Sequence, residues 1–233
     1  MSAPTASTAT TKRPRVAFLG PLGTYSHQAA HEFFGDECVD VPQERIADVF
    51  SAVAASRATY GVVPIENSSF GPVAETTEQL RTSELALRGM VRLSIGHTLL
   101  ANREVEVGPE GKRAPRRVYS HEQAIGQCRQ YLQTHYPDVQ IVPVNSTARA
   151  AQEASRDLAG LAICSAQCAQ VYDLQVLDRE IQDAGAANTT RFVVLALSST
   201  PLPAEYPVRP APTAAAAADA AARSSAAADV ATR

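Results

Sequence analysis

The chain has 233 residues, of which 45% are hydrophobic, and its formal net charge is −3. That length is enough for one large domain or two small lobes with a real core. The slight negative charge gives no reason to expect nucleic acid or an anionic membrane as a partner, and no apolar run is long enough to cross a bilayer. The four cysteines form no CxxC pair, which favours buried thiols in a reducing cytosol.

The composition divides the chain into three zones. Residues 1–14 form a polar segment, and residues 200–233 are rich in Ala and Pro with almost nothing large to bury, so both are predicted to be disordered tails. Residues 15–199 carry alternating strand and helix signals, and they are predicted to form the structured part of the chain.

The structured zone alternates between strands and helices from its first residues. RVAFLG is a short apolar strand with a glycine turn, and SHQAAHEFFG is a helix that Gly35 ends. RIADVFSAVAAS places four apolar residues at helical spacing, Ile46, Val49, Phe50 and Val53. The strand YGVVPIEN and the helix VAETTEQLRT follow, and then the single strand VRLSIGHTLLA.

The second half of the zone repeats the same alternation. RRVYS leads into the helix HEQAIGQCRQYLQ, VQIVPV leads into STARAAQEAS, and GLAIC leads into SAQCAQVY. Repeated β–α alternation predicts an α/β fold with a mostly parallel sheet and helices on both faces. In such folds ligands bind where the C-termini of strands meet the N-termini of helices.

Four strand-to-helix junctions are rich in hydroxyl and amide side chains. They are GPLGTYSHQAA with Thr24 and Ser26, PIENSSFGPV with Glu66, Asn67 and Ser68, YSHEQA with Ser120 and Gln123 at capping-box spacing, and VNSTARAA with Ser146 and Thr147. Each helix start offers free N–H groups and a partial positive charge, which favour an anion. One such junction is typical of an ordinary N-cap, but four together predict a ligand cleft.

The last strand, NTTRFVVLAL, begins with polar residues. Its apolar part, Val193 to Leu197, is suited to a buried strand, but its entrance carries Asn188, Thr189, Thr190 and Arg191. A strand that only filled a core would not need these side chains, so we expect them to face a ligand. Neighbours on an extended segment point to opposite sides, so Thr190 and Arg191 reach one substrate only if the segment passes through a cleft.

Histidines and known motifs give little sign of a metal or cofactor. No P-loop, GxGxxG, GxSxG or HExxH motif occurs. His27 and His31 are four residues apart, but no third ligand is evident, which favours a pair on a helix surface over a metal site. His97 at a strand end and His121 at a helix start are better placed to meet a ligand. Neither a metal nor a cofactor is expected.

Six segments in this order carry a resemblance to a known family. GPLGTYSHQAA, PIENSSFGPV, GHTLL, YSHEQAIGQC, STARAA and NTTRF, spread over residues 15–197, resemble prephenate dehydratase. The resemblance implies a two-lobed fold like that of type II periplasmic binding proteins, with the active site in the cleft between the lobes. The first lobe is expected to hold about residues 15–96 and 189–199, and the second about residues 97–188.

The resemblance also implies an activity, the conversion of prephenate to phenylpyruvate, water and CO₂ in phenylalanine biosynthesis, without a metal or an organic cofactor. The family's TRF motif falls on Thr190, Arg191 and Phe192, and its threonine is credited with catalysis; the ENS motif falls on Glu66, Asn67 and Ser68. Thr190 is expected to donate a hydrogen bond to the departing oxygen, with Asn188 nearby.

Arg191 is expected to bind the pyruvyl carboxylate of prephenate. On the ring carboxylate it would stabilise a charge that disappears as CO₂ leaves, which opposes the reaction, whereas the pyruvyl charge persists. The alternative for Arg191 is a salt bridge that locks the two lobes together.

The sequence departs from the family in two places. The GALV and ESRP motifs of the phenylalanine-binding ACT domain are absent, and the Ala/Pro-rich segment occupies that place, which argues against phenylalanine feedback. The family's SHPQA appears as SHEQA with Glu122, a change we expect to be harmless because an acid in the first helical turn interacts well with the helix dipole.

Three alternatives stay open at this point. Arogenate dehydratase performs the same chemistry on the transaminated substrate. A non-catalytic module of the same fold would bind small carboxylates without needing Thr190. A decayed member would serve only as an interaction subunit. The expected partner is the small-molecule substrate, with no nucleic acid and no membrane, in the cytoplasm; a homodimer is left open.

Overall fold

The computed structural model describes residues 13–105, 115–183 and 188–201. Its helices and strands are, in chain order, β1 (Arg15–Leu19), α1 (Tyr25–Phe34), β2 (Val39–Gln43), α2 (Ile46–Ala54), β3 (Tyr60–Asn67), β4 (Gly71–Pro72), α3 (Ala74–Thr82), β5 (Ala86–Ser94), β6 (Thr98–Asn102), β7 (Arg117–Ser120), α4 (Glu122–Gln127), α5 (Arg129–His135), β8 (Gln140–Pro143), α6 (Thr147–Arg156), β9 (Gly160–Cys164), α7 (Cys168–Val171), β10 (Leu174–Asp178) and β11 (Thr189–Ala196). Apart from their innermost residues, the two predicted tails lie outside the described residues.

The strands form two separate sheets. The first has the order β2-β1-β3-β11-β5, with β4 beside β3, and the second has the order β10-β6-β9-β7-β8. The predicted α/β fold with two lobes is confirmed. The prediction of mostly parallel sheets is wrong, because β11 runs antiparallel to both β3 and β5, and β6 runs antiparallel to both β9 and β10. Both β6 and β11 directly follow a segment in which the chain passes from one sheet to the other. No crossover helix precedes them to make them run parallel to a neighbouring strand.

The chain crosses between the sheets through two short segments that are bonded to each other. The predicted single strand VRLSIGHTLLA is divided between β5 in the first sheet and β6 in the second, with residues 95–97 as the crossing. The backbone N–H of Ile95 donates to the carbonyl oxygen of Asn188 over 2.8 Å, and that of Ile181 donates to the carbonyl oxygen of His97 over 3.0 Å. Ile181 and Asn188, on either side of the return to β11, therefore lie beside the first crossing.

Helix α1 begins at Tyr25, one residue before the predicted segment, and it ends before Gly35 as predicted. The hydroxyl of Thr24 accepts from the N–H of His27 over 3.2 Å, which satisfies one of the free donors at the helix start. Gly35 follows the last turn with φ of 70°, a conformation that favours glycine. Helix α2 buries the predicted apolar face, Ile46, Val49, Phe50 and Val53.

The helix predicted over HEQAIGQCRQYLQ is interrupted at Cys128, which separates α4 from α5. Its predicted capping box is wrong. The N-cap is His121, whose Nδ1 accepts from the N–H of Gln123 over 3.3 Å. Ser120 is the last residue of β7, is fully buried, and donates instead to the carbonyl oxygen of Ile163 on the neighbouring strand over 2.7 Å.

Each sheet packs against helices on both faces, and the apolar side chains fall into four buried clusters. The four cysteines are unpaired and buried, as predicted. Among the described residues, no helix is both long enough and apolar enough to cross a membrane.

Candidate active site

A cavity of about 480 Å³ lies between the two sheets. The first sheet contributes the β1–α1 junction and the adjoining ends of β3 and β11, and the second contributes the β7–α4 and β8–α6 junctions. Most of the residues predicted to meet substrate line it, namely Thr24, Ser26, Asn67, His97, Gln123, Ser146, Thr147, Asn188, Thr190 and Phe192. Three of the four polar junctions therefore reach one cavity through their helix starts, and the fourth reaches it through Asn67.

The hydroxyl of Thr190 is held so that its proton is free to donate. The side-chain N–H₂ of Asn67, the cross-strand partner of Thr190, donates to Thr190 Oγ1 over 2.8 Å. The oxygen of that amide accepts from the backbone N–H groups of Ser69 and Phe70 over 2.9 and 3.1 Å, which fixes the amide end that faces Thr190. Because Thr190 Oγ1 already accepts, its own O–H is left to donate to a group in the cavity.

The polar network continues from Asn67 to the crossing between the sheets. The Asn67 amide also donates to Asn188 Oδ1 over 2.9 Å, and the Asn188 amide donates to Gln127 Oε1 over 3.4 Å. His97 Nε2 lies 2.6 Å from the same Gln127 oxygen, so this nitrogen carries the ring proton. His97 is buried, and burial lowers its pKa despite the hydrogen bond to Gln127, which makes it a neutral donor.

Two long helices start at the wall of the cavity. Thr24 caps α1, and Ser146 caps α6 by accepting from the N–H of Arg149 over 3.0 Å. The free N–H groups of each first turn and the partial positive charge of the helix N-terminus favour an anion there. Within the described ranges, no lysine or arginine lines the cavity. Any anionic ligand in it would depend on helix starts, hydroxyls and amides.

Arg191 and Glu66 do not line the cavity, although both were predicted to bind substrate. They lie on the opposite face of the first sheet, where the two side chains form an ion pair across β11 and β3. The physical reason is the alternation of side chains along a strand, which turns Thr190 and Phe192 inward and Arg191 outward. Both partners belong to the first sheet, so the pair does not lock the lobes together either.

Two predicted serines are also absent from the cavity wall. Ser68 lies with Arg191 around a small depression on the outer face, and its hydroxyl accepts from the N–H of Thr189 over 2.9 Å. Ser120 is the buried residue that bonds to Ile163. In both cases the hydroxyl bonds to the backbone of a strand that is distant in the sequence.

Two residues at the cavity were missed by the sequence reading, Tyr25 and Gln127. The hydroxyl of Tyr25 donates to the carbonyl oxygen of Gly96 over 2.8 Å, which ties α1 to the crossing, and burial holds the pKa of this tyrosine well above its usual value. Gln127 lies four residues after Gln123 on α4 and shares its face. The spacing of four residues from Gln123 was therefore a signal in the sequence that Gln127 would face the cavity.

Among the described residues, one group of side chains could hold a metal ion, and it lies outside the cavity. His27 and His31 are joined by Asp40 of β2, and one ligand atom from each lies within 4.8 Å of the others. The expectation that this histidine pair has no third ligand is therefore wrong. Asp40 is nine residues beyond His31 and comes close only because β2 packs beside β1, next to α1.

The chain matches the family model described as prephenate dehydratase over residues 16–200. It is 41% identical over 186 residues to a bifunctional chorismate mutase/prephenate dehydratase from Aquifex aeolicus, which covers 79% of this chain and 49% of that protein. The chain thus spans about half the length of the curated relatives it matches.

Solved structures give the same picture. The crystal structure of prephenate dehydratase from Arthrobacter aurescens, in complex with L-Phe, has 30% identity and a TM-score of 0.71, covering 82% of this chain and 63% of that one. A structure described as GqqA, a novel type of quorum quenching acylase, has 26% identity and a TM-score of 0.68, covering 81% of this chain and 66% of that one. The chain belongs to the prephenate dehydratase family.

Proposed function

We propose that this chain converts prephenate to phenylpyruvate, water and CO₂, within residues 15–199 and as a step of phenylalanine biosynthesis. The observation that carries the proposal is the hydroxyl of Thr190, which accepts from Asn67 and so has its proton free in a cavity of about 480 Å³. A non-catalytic carboxylate-binding module would not need a hydroxyl held in this way.

The main task of the enzyme in this reaction is to stabilise the departing hydroxyl oxygen. As the ring C–O bond breaks, the electrons of the bond to the ring carboxylate move into the ring, CO₂ departs and the ring becomes aromatic. Negative charge builds on the departing oxygen, so a donor at Thr190 stabilises the transition state more than the bound substrate. The donation from Asn67 polarises the Thr190 hydroxyl and makes it a better donor. The departing hydroxide leaves as water once it takes up a proton.

The charge of the cavity wall fits a substrate that loses one carboxylate. A cation against the ring carboxylate would hold back the loss of CO₂, and among the described residues no lysine or arginine lines the cavity. The pyruvyl carboxylate keeps its charge throughout. We assign it to the N-terminal turns of α1 and α6, at Ser26 and Thr147, in place of Arg191, which lies on the outer face.

Phenylpyruvate formation from prephenate by the purified chain tests the proposal, with Thr190→Ala as the matched inactive control. Turnover by the wild type that falls by about two to three orders of magnitude in Thr190→Ala is the expected result. A wild type without turnover, in a folded preparation that binds prephenate, would favour the binding module. The same assay with arogenate compares the two substrates directly.

We also propose that the chain acts in the cytosol, since four unpaired, buried thiols fit a reducing compartment. Cell fractionation with an antibody to the chain tests this. The homodimer stays a prediction, and light scattering of the purified chain tests it. The expectation of no phenylalanine feedback is tested by adding phenylalanine to the prephenate assay.

A further inference from the structure

A second polar cluster, distinct from the cavity, lies between α1 and β2. It consists of His27 and His31 on one face of α1, Cys38 before β2, and Asp40 within β2. None of these residues lines the cavity between the sheets. His27 and Cys38 are buried, whereas the side chains of His31 and Asp40 are 23% and 28% exposed, which leaves solvent a path to the cluster.

His31 has a carboxylate at each of its ring nitrogens. Asp36 Oδ1 lies 3.1 Å from Nδ1, and Asp40 Oδ1 lies 3.0 Å from Nε2. A neutral imidazole carries one N–H, so one of these contacts would set a nitrogen lone pair against a carboxylate oxygen. Asp36 is fully exposed, whereas the contact with Asp40 is half-buried, so a metal ion between Nε2 and Asp40 would relieve the repulsion where water screens it least. A proton on Nδ1 directed at Asp36 leaves the lone pair of Nε2 for a metal.

The thiol of Cys38 favours the metal. Its sulfur lies 4.0 Å from His31 Nε2 and 4.0 Å from Asp40 Oδ1, at the long limit for a hydrogen bond to sulfur. Ligands at Zn–S of about 2.3 Å and Zn–N or Zn–O of about 2.0–2.1 Å lie about 3.3–3.6 Å apart around a tetrahedral ion. The thiol also donates to the carbonyl oxygen of Gly35 over 3.4 Å, and zinc binding would replace that hydrogen bond. The sulfur would have to approach the nitrogen and the oxygen by about half an ångström for all three to bind one ion.

His27 has a different task from His31, although both belong to the cluster. The backbone N–H of Gly23 donates to His27 Nδ1 over 3.0 Å, so the proton of the neutral ring is on Nε2. That N–H then donates to Asp40 Oδ2 over 3.2 Å. A metal on His27 Nε2 would require the ring to give up this proton. His27 therefore orients Asp40 from behind, as Asp36 orients His31, the arrangement common around metal ligands.

We propose that His31, Cys38 and Asp40 bind a zinc ion, with His27 and Asp36 holding two of the ligands in position. Imidazole, thiolate and carboxylate are the ligand types that zinc takes in proteins, and the fourth position opens to solvent. The ion would join α1 to the edge strand β2, so its role is structural and independent of the proposed dehydration. Cys38 would bind as the thiolate, so binding releases the thiol proton to solvent.

Cobalt, which replaces zinc and absorbs light, tests the ligand set in the full chain after chelation and dialysis. We expect one equivalent of Co²⁺ to produce a thiolate charge-transfer band together with the visible bands of a tetrahedral ion, and Zn²⁺ to abolish both. Cys38→Ser should lose the charge-transfer band, and His31→Gln should lose stoichiometric binding. Cys128→Ser, which alters another buried cysteine in the second lobe, is the matched control and should keep the band.

The variant His27→Gln tests whether His27 positions Asp40 or binds the zinc ion itself. Glutamine can still donate to Asp40, so zinc affinity should fall about 10–100-fold without being lost. If His27→Gln abolishes binding as fully as His31→Gln, the assignment of His27 is wrong.

Two measurements on the unmodified protein guard against variants that fail to fold. Zn²⁺ should raise the melting temperature of the wild type, and it should protect Cys38, identified by mass spectrometry, from alkylation. A wild type that binds neither ion at stoichiometric concentration, or a charge-transfer band that survives Cys38→Ser, would overturn the proposal. Prephenate turnover should be unchanged in Cys38→Ser, so failure of the zinc site and failure of the proposed dehydration give different results.

Discussion

The two faces of β11 carry neighbouring residues into opposite environments. On the inner face Thr190 is 8% exposed and shares the amide of Asn67 with Asn188. On the outer face Arg191 pairs with Glu66 while their side chains stay 49% and 37% exposed. The inner hydroxyl is buried in the cavity wall, whereas water screens the outer cation. A weak donor inside the cavity can therefore matter more to the chemistry than a full charge on the surface.

The largest effect on kcat is expected from substitutions of Thr190, on the inner face of β11. Thr190→Ala should lower kcat by about two to three orders of magnitude with KM within a few-fold, because the hydroxyl acts on charge that builds in the transition state. Thr190→Ser keeps the hydroxyl and should retain much more activity. Steady-state kinetics on prephenate decides the matter, and a fully active Thr190→Ala would remove the contrast between the faces.

Asn67→Asp should have the next largest effect on kcat. The substituted side chain still accepts from the N–H groups of Ser69 and Phe70, but it accepts from Thr190 instead of donating to it. The proton of Thr190 then turns away from the substrate, and kcat should fall about 10–100-fold in a protein that melts normally. Combined with Thr190→Ala, the change should add little, because both disrupt one unit. Full additivity in kcat would show that Asn67 acts independently of Thr190.

His97 lies at the end of the polar network that continues from Asn67, and it should make the stability of the folded protein sensitive to acid. Burial lowers its pKa in the folded state, so the unfolded chain takes up this proton first as the pH falls. Stability is then complete above the unfolded value of about 6.5 and declines as the pH drops from there through the folded value. His97→Gln should show a smaller loss of melting temperature between about pH 7.5 and 5.5 than wild type.

The matched control for this comparison is His135→Gln, because His135 is exposed in α5. An identical acid response in wild type and His97→Gln would show that the buried ring is not its source.

The smallest effects are expected on the outer face. Arg191→Lys and Thr189→Ala should change kcat and KM by less than about threefold, and loss of the exposed ion pair should cost at most about 1 kcal/mol of stability. Glu66→Gln is the matched control, since it removes the negative partner of that pair, whereas Arg191→Lys keeps a positive one. If Arg191→Lys raises KM strongly while Glu66→Gln does not, the arginine reaches the substrate in a state that differs from this structure.

The parts of the fold that were predictable are those governed by local residues. The hydroxyl of Thr24 and the glycine at position 35 mark the ends of α1, and the spacing from Ile46 to Val53 marks the buried face of α2. These signals survive because a cap or an amphipathic face depends on residues a few positions apart. The same holds for the order of polar junctions, three of which meet at the cavity through their helix starts.

The errors come from contacts between distant segments. Ser120 has the spacing of a capping box, yet its hydroxyl goes to Ile163, which belongs to a strand 43 residues away. The run of apolar residues through Ile95 hides a crossing between two sheets. The strands β2 and β10 were not predicted at all, and β2 brings Asp40 to the histidines of α1.

The sequence by itself determined which helices form, which junctions are polar, and to which family the chain belongs, because these depend on residue type and local spacing. Only the tertiary structure decided which side of β11 faces the cavity, that Asn67 holds the hydroxyl of Thr190, and that Arg191 turns outward to Glu66. The direction of a side chain on a strand depends on which neighbouring strands and layers cover each face. The partners in β3, for example, lie more than a hundred residues earlier in the chain, where no local pattern reaches.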